Sequence, residues 1–293
     1  MEPVNSLRLH FCDFAFNFLQ SLGFHLSPNH YYWPIPDTRF LKDELWQRES
    51  SLPGIDINET QQLQLLSDFA RLYKEEYEKI PRSCTDSLKY YINNESFTSV
   101  DGEILYCMIR HFKPKKIIEI GSGNSTLLSA RAIQTNGFGE LTAIEPYPDD
   151  ALKNGFPGLS KLIDKKLEEV PLSEFEGLQA NDILFIDSSH VLKIGSDVQY
   201  EYLEILPRLK PGVLVHVHDI FLPMEYPKHW ILKNHHFWNE QYLLQAFLIC
   251  NSAWHILWAG SYMHIKHPDL LEKNFGSYDR EKRWPGSFWM QCR

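Results

Sequence analysis

The sequence predicts an α/β protein: a doubly wound, mostly parallel sheet with helices on both faces, preceded by a helical N-terminal extension. Three observations lead to this. Ile117, Ile118 and Ile120 form a short β-branched run, the pattern of a strand buried on both sides. That run ends at Gly121 and Gly123, and a helical apolar pattern follows at Leu127, Leu128, Ala130 and Ile133. From there strands and helices alternate at the spacing of a parallel sheet with crossover helices.

Composition sets the bounds. At 293 residues the chain suits one large domain, or one domain with an extension. Hydrophobic content of 43% and aromatic content of 14% place it among globular chains and not disordered ones. A net charge of −9 argues against a nucleic-acid surface. The cysteines (Cys12, Cys84, Cys107, Cys250, Cys292) have no C-x-x-C spacing, and an odd, sparse set reads as reduced thiols in a cytoplasmic protein. No signal peptide is read at the N-terminus, and no apolar stretch reaches the ~18 residues of a membrane span. No membrane partner is therefore expected.

Residues 1–95 are read as the extension, and residues 96–293 as the α/β domain. Phe11, Phe14, Phe18, Leu19 and Leu22 give an amphipathic helix over about 6–22. His30-Tyr-Tyr-Trp-Pro-Ile-Pro36 reads as an irregular, packed loop. Asn58 with Gln61 suggests a helix cap, and Leu63, Leu66, Ala70, Tyr73 and Tyr77 the apolar face behind it. The extension suits plain packing, a lid over the site, or a homodimer contact.

Thr98 and Asp101 fit a capping box for a helix carrying Ile104, Leu105, Met108, Ile109 and Phe112. Strands follow at 116–120, 140–145, weakly at 159–164, at 182–187 and at 212–218, with helices at 124–136 and about 195–207. Pro207 and Pro211 are expected to end the latter helix. A helix at about 238–249 precedes strands at 254–258 and 287–290. No helix is evident between those last two strands, which fits an antiparallel hairpin at the sheet edge.

The chemistry-bearing residues gather at predicted strand ends. Gly121-Ser-Gly123 lacks the third glycine of a dinucleotide fingerprint, because Thr126 stands there. Glu145 lies 22 residues after Gly123 and closes the next strand, where a carboxylate accepts from ribose hydroxyls. The acid Glu119 inside the strand end suits the cationic amino group of S-adenosylmethionine better than a pyrophosphate. Tyr262/Lys266 and Tyr278/Lys282 have the reductase spacing but stand too late in the chain to flank a nicotinamide.

Asp187-Ser-Ser-His190 ends a second strand, and His216-Val-His-Asp219 ends a third. Such carboxylate and imidazole sets bind divalent metals. His216 lies deeper in its strand and reads as structural. His229, His235 and His236, in the following loop, read either as lining of a substrate pocket or, more readily, as ordinary loop residues.

With Ile-Glu-Ile-Gly-Ser-Gly-Asn-Ser-Thr126, Phe-Ile-Asp187-Ser-Ser-His190 and a late Leu-Lys-Pro-Gly…His218-Asp219 in this order, the chain resembles class I S-adenosylmethionine-dependent methyltransferases of the small-molecule branch. The resemblance covers about residues 95–293. It implies a seven-stranded, Rossmann-like sheet with the last strand antiparallel. Gly121, Ser122 and Gly123 would approach the methionine part and Glu145 the ribose, with the region from Leu167 to Glu169 near the adenine. Glu119, Ser125, Thr126 and Asp187 complete the implied cofactor set.

Beside catechol O-methyltransferase-like enzymes, Asp187, His218 and Asp219 fall on metal-ligand positions, and His190 falls where those enzymes carry a catalytic lysine. A histidine among the ligands makes Mn²⁺ or Fe²⁺ as apt as Mg²⁺. The expected function is methyl transfer from S-adenosylmethionine to an oxygen of a small polar acceptor, with a divalent metal and His190 as base. A metal-independent N- or O-methyltransferase is the first alternative, and an iron-dependent oxygenase or lyase on a methyltransferase fold the second. The acceptor pocket is expected near Tyr31, Tyr32 and Trp33 or in the loop from Phe221 to Trp230.

Overall fold

A computed structural model describes residues 6–293, with side chains from Phe14 onward; Phe11 and Cys12 lie outside those described side chains. The chain divides into two compact units, one ending at Leu45 and one running from Trp46 to Arg293. In the first unit a helix spans Ser6–Ser21, close to the expected bounds. The loop after it is irregular, as expected, but not packed: Tyr31 and Tyr32 are 80% and 79% exposed. So short a unit has little apolar surface of its own on which to bury rings.

The second unit holds the sheet. Its strands are β1 (Lys116–Ile120), β2 (Glu140–Ile144), β3 (Lys161–Ile163), β4 (Ile183–Ile186), β5 (Leu214–Val217), β6 (Trp254–Ala259) and β7 (Phe288–Cys292). The order is β3-β2-β1-β4-β5-β7-β6. The strands β1 to β5 pair in parallel, and β7 is antiparallel to both β5 and β6. The sheet winds in opposite directions from β1 and β4, so a ligand crevice is expected outside their carboxyl ends.

Period two distributes the strand residues between two cores. Ile117, Leu141, Ile183, Phe185 and Leu214 join one core with Phe69, Ile104 and Leu128. Ile118, Ile120, Leu184, Ile186 and Val215 join the other with Phe175, Tyr202 and Leu244. Burial on both faces explains why β4 reads as a continuous apolar run and why β1 and β5 carry apolar residues on both faces.

The helix Glu59–Tyr77 buries Leu66 and Phe69 and belongs to the sheet unit. The compact unit that holds the sheet begins at Trp46, so this helix lies within it. Asn58 does occupy the cap position, but its backbone is left-handed (φ 59°) and its side chain makes no cap bond. Its Nδ2 donates instead to the Ile256 carbonyl, 3.2 Å away.

The helix Asp101–Phe112 also lacks the expected side-chain cap. The Asp101 carboxylate is spent elsewhere: it accepts from the backbone N–H groups of Gly286 (2.9 Å) and Ser287 (3.0 Å). That tie fixes the entry to β7.

Two further expectations change. The helix after β4 is α-helical only over Asp197–Tyr200, passes through a π turn at Glu201–Ile205, and ends in a 3₁₀ turn at Leu206–Arg208. Pro207 lies inside that last turn instead of terminating the helix, since a residue near a helix start needs no N–H donor. Between β6 and β7 there are two short helices, Gly260–Lys266 and Pro268–Asn274, where none was evident. Each is only seven residues long, so its periodicity was too brief to read.

Asp101 tests how far the sheet depends on a single carboxylate. Asp101→Ala leaves two buried N–H groups without an acceptor and should cost about 2–5 kcal/mol in urea-unfolding experiments. A loss under ~0.5 kcal/mol would show that the tie at β7 is dispensable.

Candidate active site

Four strand ends converge on one edge. They bring Gly121 (after β1), Glu145 (after β2), Asp187 (after β4) and His218 with Asp219 (after β5) to the crevice of an open α/β sheet. Gly121 has φ +76°, and a Cβ placed on it would lie 1.9 Å from the Asp187 carbonyl oxygen. Only glycine lets the two strand ends pass this closely. Gly123 differs: a Cβ there meets nothing within 4 Å. The fold leaves that space open.

A cleft of about 490 Å³ runs along this edge, lined by Gly121, Glu145, Leu167, Asp187 and Lys193 among others. The Glu145 carboxylate accepts from the N–H groups of Ser122 (3.2 Å) and Tyr147 (2.9 Å). A carboxylate has about four lone-pair sites, so it retains acceptor capacity for hydroxyls. The Ser122 hydroxyl is buried without a partner beside it.

The other residues of the glycine turn face inward. Glu119 is fully buried and accepts from the Ser125 hydroxyl (2.5 Å) and the Thr126 hydroxyl (3.1 Å). Thr126 Oγ1 also accepts from the Gly123 N–H at 2.9 Å. Glu119, Ser125 and Thr126 thus shape the turn from within. Burial raises the Glu119 carboxyl to about 8, against the lowering effect of the Ser125 and Thr126 hydroxyls.

On the far side of the cleft, His190 sits among three carboxylates. Its Nε2 lies 3.3 Å from Asp187 Oδ1 and 3.6 Å from Asp219 Oδ2, and its Nδ1 lies 2.9 Å from Glu240 Oε2. Burial alone would lower the imidazole. The hydrogen bonds to Asp187 and Glu240, with the charges of Glu240 and Asp219, outweigh it and hold the imidazole well above its ordinary value. Burial opposes ionisation of Asp187 too, but the neighbouring His218 and His190 pull it down to about 2. Asp219 is raised, because burial there outweighs the attraction of His218 and His190. Among the described residues, Asp187, His190 and Asp219 form a group able to hold a metal ion, with ligand atoms within 4.8 Å of one another.

His218 stands at the margin of this group, with Nε2 3.7 Å from Asp219 Oδ1 and its ring against Phe97. Burial lowers its imidazole, yet the charges of Asp219, Asp187 and Asp101 bring the net shift upward. His216 is fully buried and stacks on Phe185 at 4.0 Å. Burial and the charge of His218 push it far below the ordinary range, as suits a neutral packing residue.

An aromatic wall backs His190. Trp238 lies 4.4 Å from its ring, His236 stacks on Trp238 at 4.8 Å, and Trp230 meets Trp238 edge-on at 5.1 Å. His236 is therefore part of the site's surroundings and not an ordinary loop residue. Glu240 was missed in the sequence, because an acid in the first turn of a helix is usually a solvent-facing dipole partner. Here it is 0% exposed. Glu201, in the π turn, is also 0% exposed, and burial raises its carboxyl well above the ordinary range. A π turn can mark a functional segment but leaves no sequence signature.

A methyltransferase-domain family model matches residues 118–220, the segment that carries all four strand ends. An uncharacterized protein of Archaeoglobus fulgidus is 32% identical over 176 residues, which span 56% of this chain and 78% of that one. Two solved structures are similar more loosely. The O-methyltransferase TomG of Streptomyces achromogenes, involved in tomaymycin synthesis and solved with SAM, is 16% identical; the match covers 86% of this chain and 99% of that one, at a TM-score of 0.44. An O-methyltransferase from Bacillus cereus, solved with SAH, is 14% identical and covers 78% of this chain and 91% of that one, at a TM-score of 0.40. Neither is close enough to transfer a residue or a substrate. Strand order, glycine turn and family match agree, and the chain belongs to the class I S-adenosylmethionine-dependent methyltransferases.

The two glycines should separate by experiment. Gly121→Ala forces a methyl group into the Asp187 backbone and should abolish soluble expression or lower the melting temperature sharply. Gly123→Ala should fold normally but bind S-adenosylmethionine at least tenfold more weakly by calorimetry. Equal affinity in Gly123→Ala would show that the ligand does not use that space.

Glu119 gives a pH signature. Its folded value of about 8 exceeds the ordinary 4.5. The folded state therefore holds its proton longer than the unfolded chain, and this contribution to stability is complete below pH 4.5 and lost as pH rises to about 8. Glu119→Gln should remove that slope, which is at most about 1.4 kcal/mol per pH unit. Parallel stability-versus-pH curves for the two proteins would refute it.

Proposed function

We propose that this methyltransferase acts on an oxygen of a small polar acceptor, with the acceptor held at the edge formed by Asp187, His190 and Asp219. The juxtaposition of that edge with the open cleft at Gly121 and Glu145 carries the reading, because it sets a proton-accepting group beside the cofactor crevice. The cleft fits S-adenosylmethionine: it offers the spare acceptor capacity of Glu145, the unpartnered hydroxyl of Ser122, and the free space at Gly123. When bound, the cofactor supplies an activated methyl group on a sulfonium.

The protein's part is alignment and proton handling. Glu145 holds the ribose side, and the Gly121–Ser122–Gly123 turn takes the methionine side. His190 is the proton-exchanging group of this edge: the carboxylates that raise its imidazole make it a stronger base, but it must lose its own Nε2 proton before it takes that of the acceptor hydroxyl, so turnover should rise with pH above neutrality. Trp238, packed on His190, screens the proton from bulk water.

A divalent ion also suits the donor set. Two carboxylates and one imidazole offer ligand atoms within 4.8 Å, and the second nitrogen of that imidazole is already bound by a carboxylate, as ligating imidazoles usually are. Asp187 and Asp219 would hold the ion with His190, or with His218 from the far side of Asp219. The ion would polarise the acceptor hydroxyl and lower its pKa.

One experiment orders these statements: calorimetry with S-adenosylmethionine, then S-adenosylhomocysteine release across a panel of hydroxyl and amine acceptors, with and without chelator. Micromolar cofactor binding and release with hydroxyl acceptors are expected. His190→Gln should lower turnover by roughly 10²–10⁴. Loss of turnover in chelator, restored by one divalent ion, assigns the ion to the reaction; full turnover in chelator removes it and leaves His190 as base. Turnover confined to amine acceptors would overturn the oxygen assignment, and no cofactor binding would overturn the whole reading.

A further inference from the structure

We infer that Glu240 is a positioning residue, which fixes the His190 imidazole with Nδ1 bonded inward and Nε2 turned to Asp187 and Asp219. The inference rests on the reading of the Asp187–His190–Asp219 edge as the acceptor side. Glu240 begins the helix Glu240–Leu248, is 0% exposed, and places Oε2 2.9 Å from His190 Nδ1. An ionised carboxylate only accepts, so the pair puts a proton on Nδ1. The other nitrogen is then the one that meets the two aspartates, at 3.3 and 3.6 Å.

The backbone repeats the same connection. The N–H groups of Asn239 and Glu240 both point at the His190 carbonyl oxygen, at 3.1 and 3.2 Å. Asn239 Oδ1 accepts from the Leu192 N–H at 2.6 Å. Trp238 packs on the imidazole. Three consecutive residues, Trp238, Asn239 and Glu240, thus grip His190 by its ring, its carbonyl and its Nδ1. The residue they grip has a left-handed backbone (φ 58°), which the grip stabilises.

The cost of burying Glu240 points the same way. Its Oε1 makes no well-formed hydrogen bond, although the buried Tyr202 hydroxyl lies beside the carboxylate. A buried carboxylate with one oxygen unsatisfied is expensive, and packing alone would favour an apolar residue of the same size. The bond to Nδ1 is what its charge achieves. Without it the ring could turn over and present a carbon where Nε2 meets the two aspartates.

The test reads the imidazole directly and needs no acceptor substrate, so its failure is distinct from failure of the methyl-transfer reading. Long-range ¹⁵N–¹H spectra of the full chain, with His190→Gln to assign the signal, should show a proton on His190 Nδ1 that is shifted downfield and slow to exchange. Glu240→Leu should abolish that downfield, protected signal, and Glu240→Gln, whose amide oxygen still accepts, should restore it with a smaller shift. A bare Nδ1 in the unmodified protein overturns the inference, as does a signal unchanged in Glu240→Leu. Should Glu240→Leu fail to fold, the unmodified protein and Glu240→Gln decide: a signal identical in those two shows that the carboxylate is not its partner.

Discussion

Everything at this site hangs on the close passage of two backbones, Gly121 at the end of β1 and Asp187 at the end of β4. The Asp187 N–H donates to the Ile120 carbonyl at 2.9 Å, and its own carbonyl lies where a Gly121 side chain would be. This pins the Asp187 side chain to a sheet buried on both faces. The windings of the chain diverge from that point, and the cleft opens between them. The carboxylate that borders the cofactor crevice is therefore also the one that meets His190.

The electrostatics follow from this placement. Asp187, Asp219 and Glu240 surround one imidazole, with His218 beside Asp219. Carboxylates gathered this closely repel each other, and burial makes the repulsion stronger. The sheet tolerates the arrangement because the imidazole is shared among all three. The result is a pocket edge with an excess of negative charge, which suits a cationic ligand such as a sulfonium. Asp187 stays ionised far into acid, while Asp219 holds its proton more readily. Two carboxylates on one imidazole are thus made unequal by their surroundings.

Much of this was legible in the sequence, for definite reasons. The β1 run and its glycine turn were readable because strand, turn and helix each have a local signature, and the helix Asn124–Asn136 begins and ends where that reading put it. Asp187, His190, His218 and Asp219 could be picked out because strand ends in a parallel sheet face one edge. What could not be read depends on contacts distant in sequence. Glu240 looks like any first-turn acid; it becomes part of the site only because the loop before it folds back on His190. Asp101 looks like half of a capping box, yet its acceptors are claimed by Gly286 and Ser287, far along the chain. The two helices between β6 and β7 were too short to show a period.

The backbone at His190 and Asp219 bears on how substitutions there should be interpreted. Both residues have left-handed backbones, with φ of 58° and 55°. Asparagine and aspartate enter that region with little penalty, and β-branched residues hardly at all. A valine or threonine at either position therefore alters the course of the chain as well as the chemistry, and its phenotype mixes the two. Asparagine keeps the path and removes only the functional group. In any library built on this scaffold, the two most informative positions would tolerate a narrow set of replacements for reasons of torsion alone, before catalysis exerts any selection.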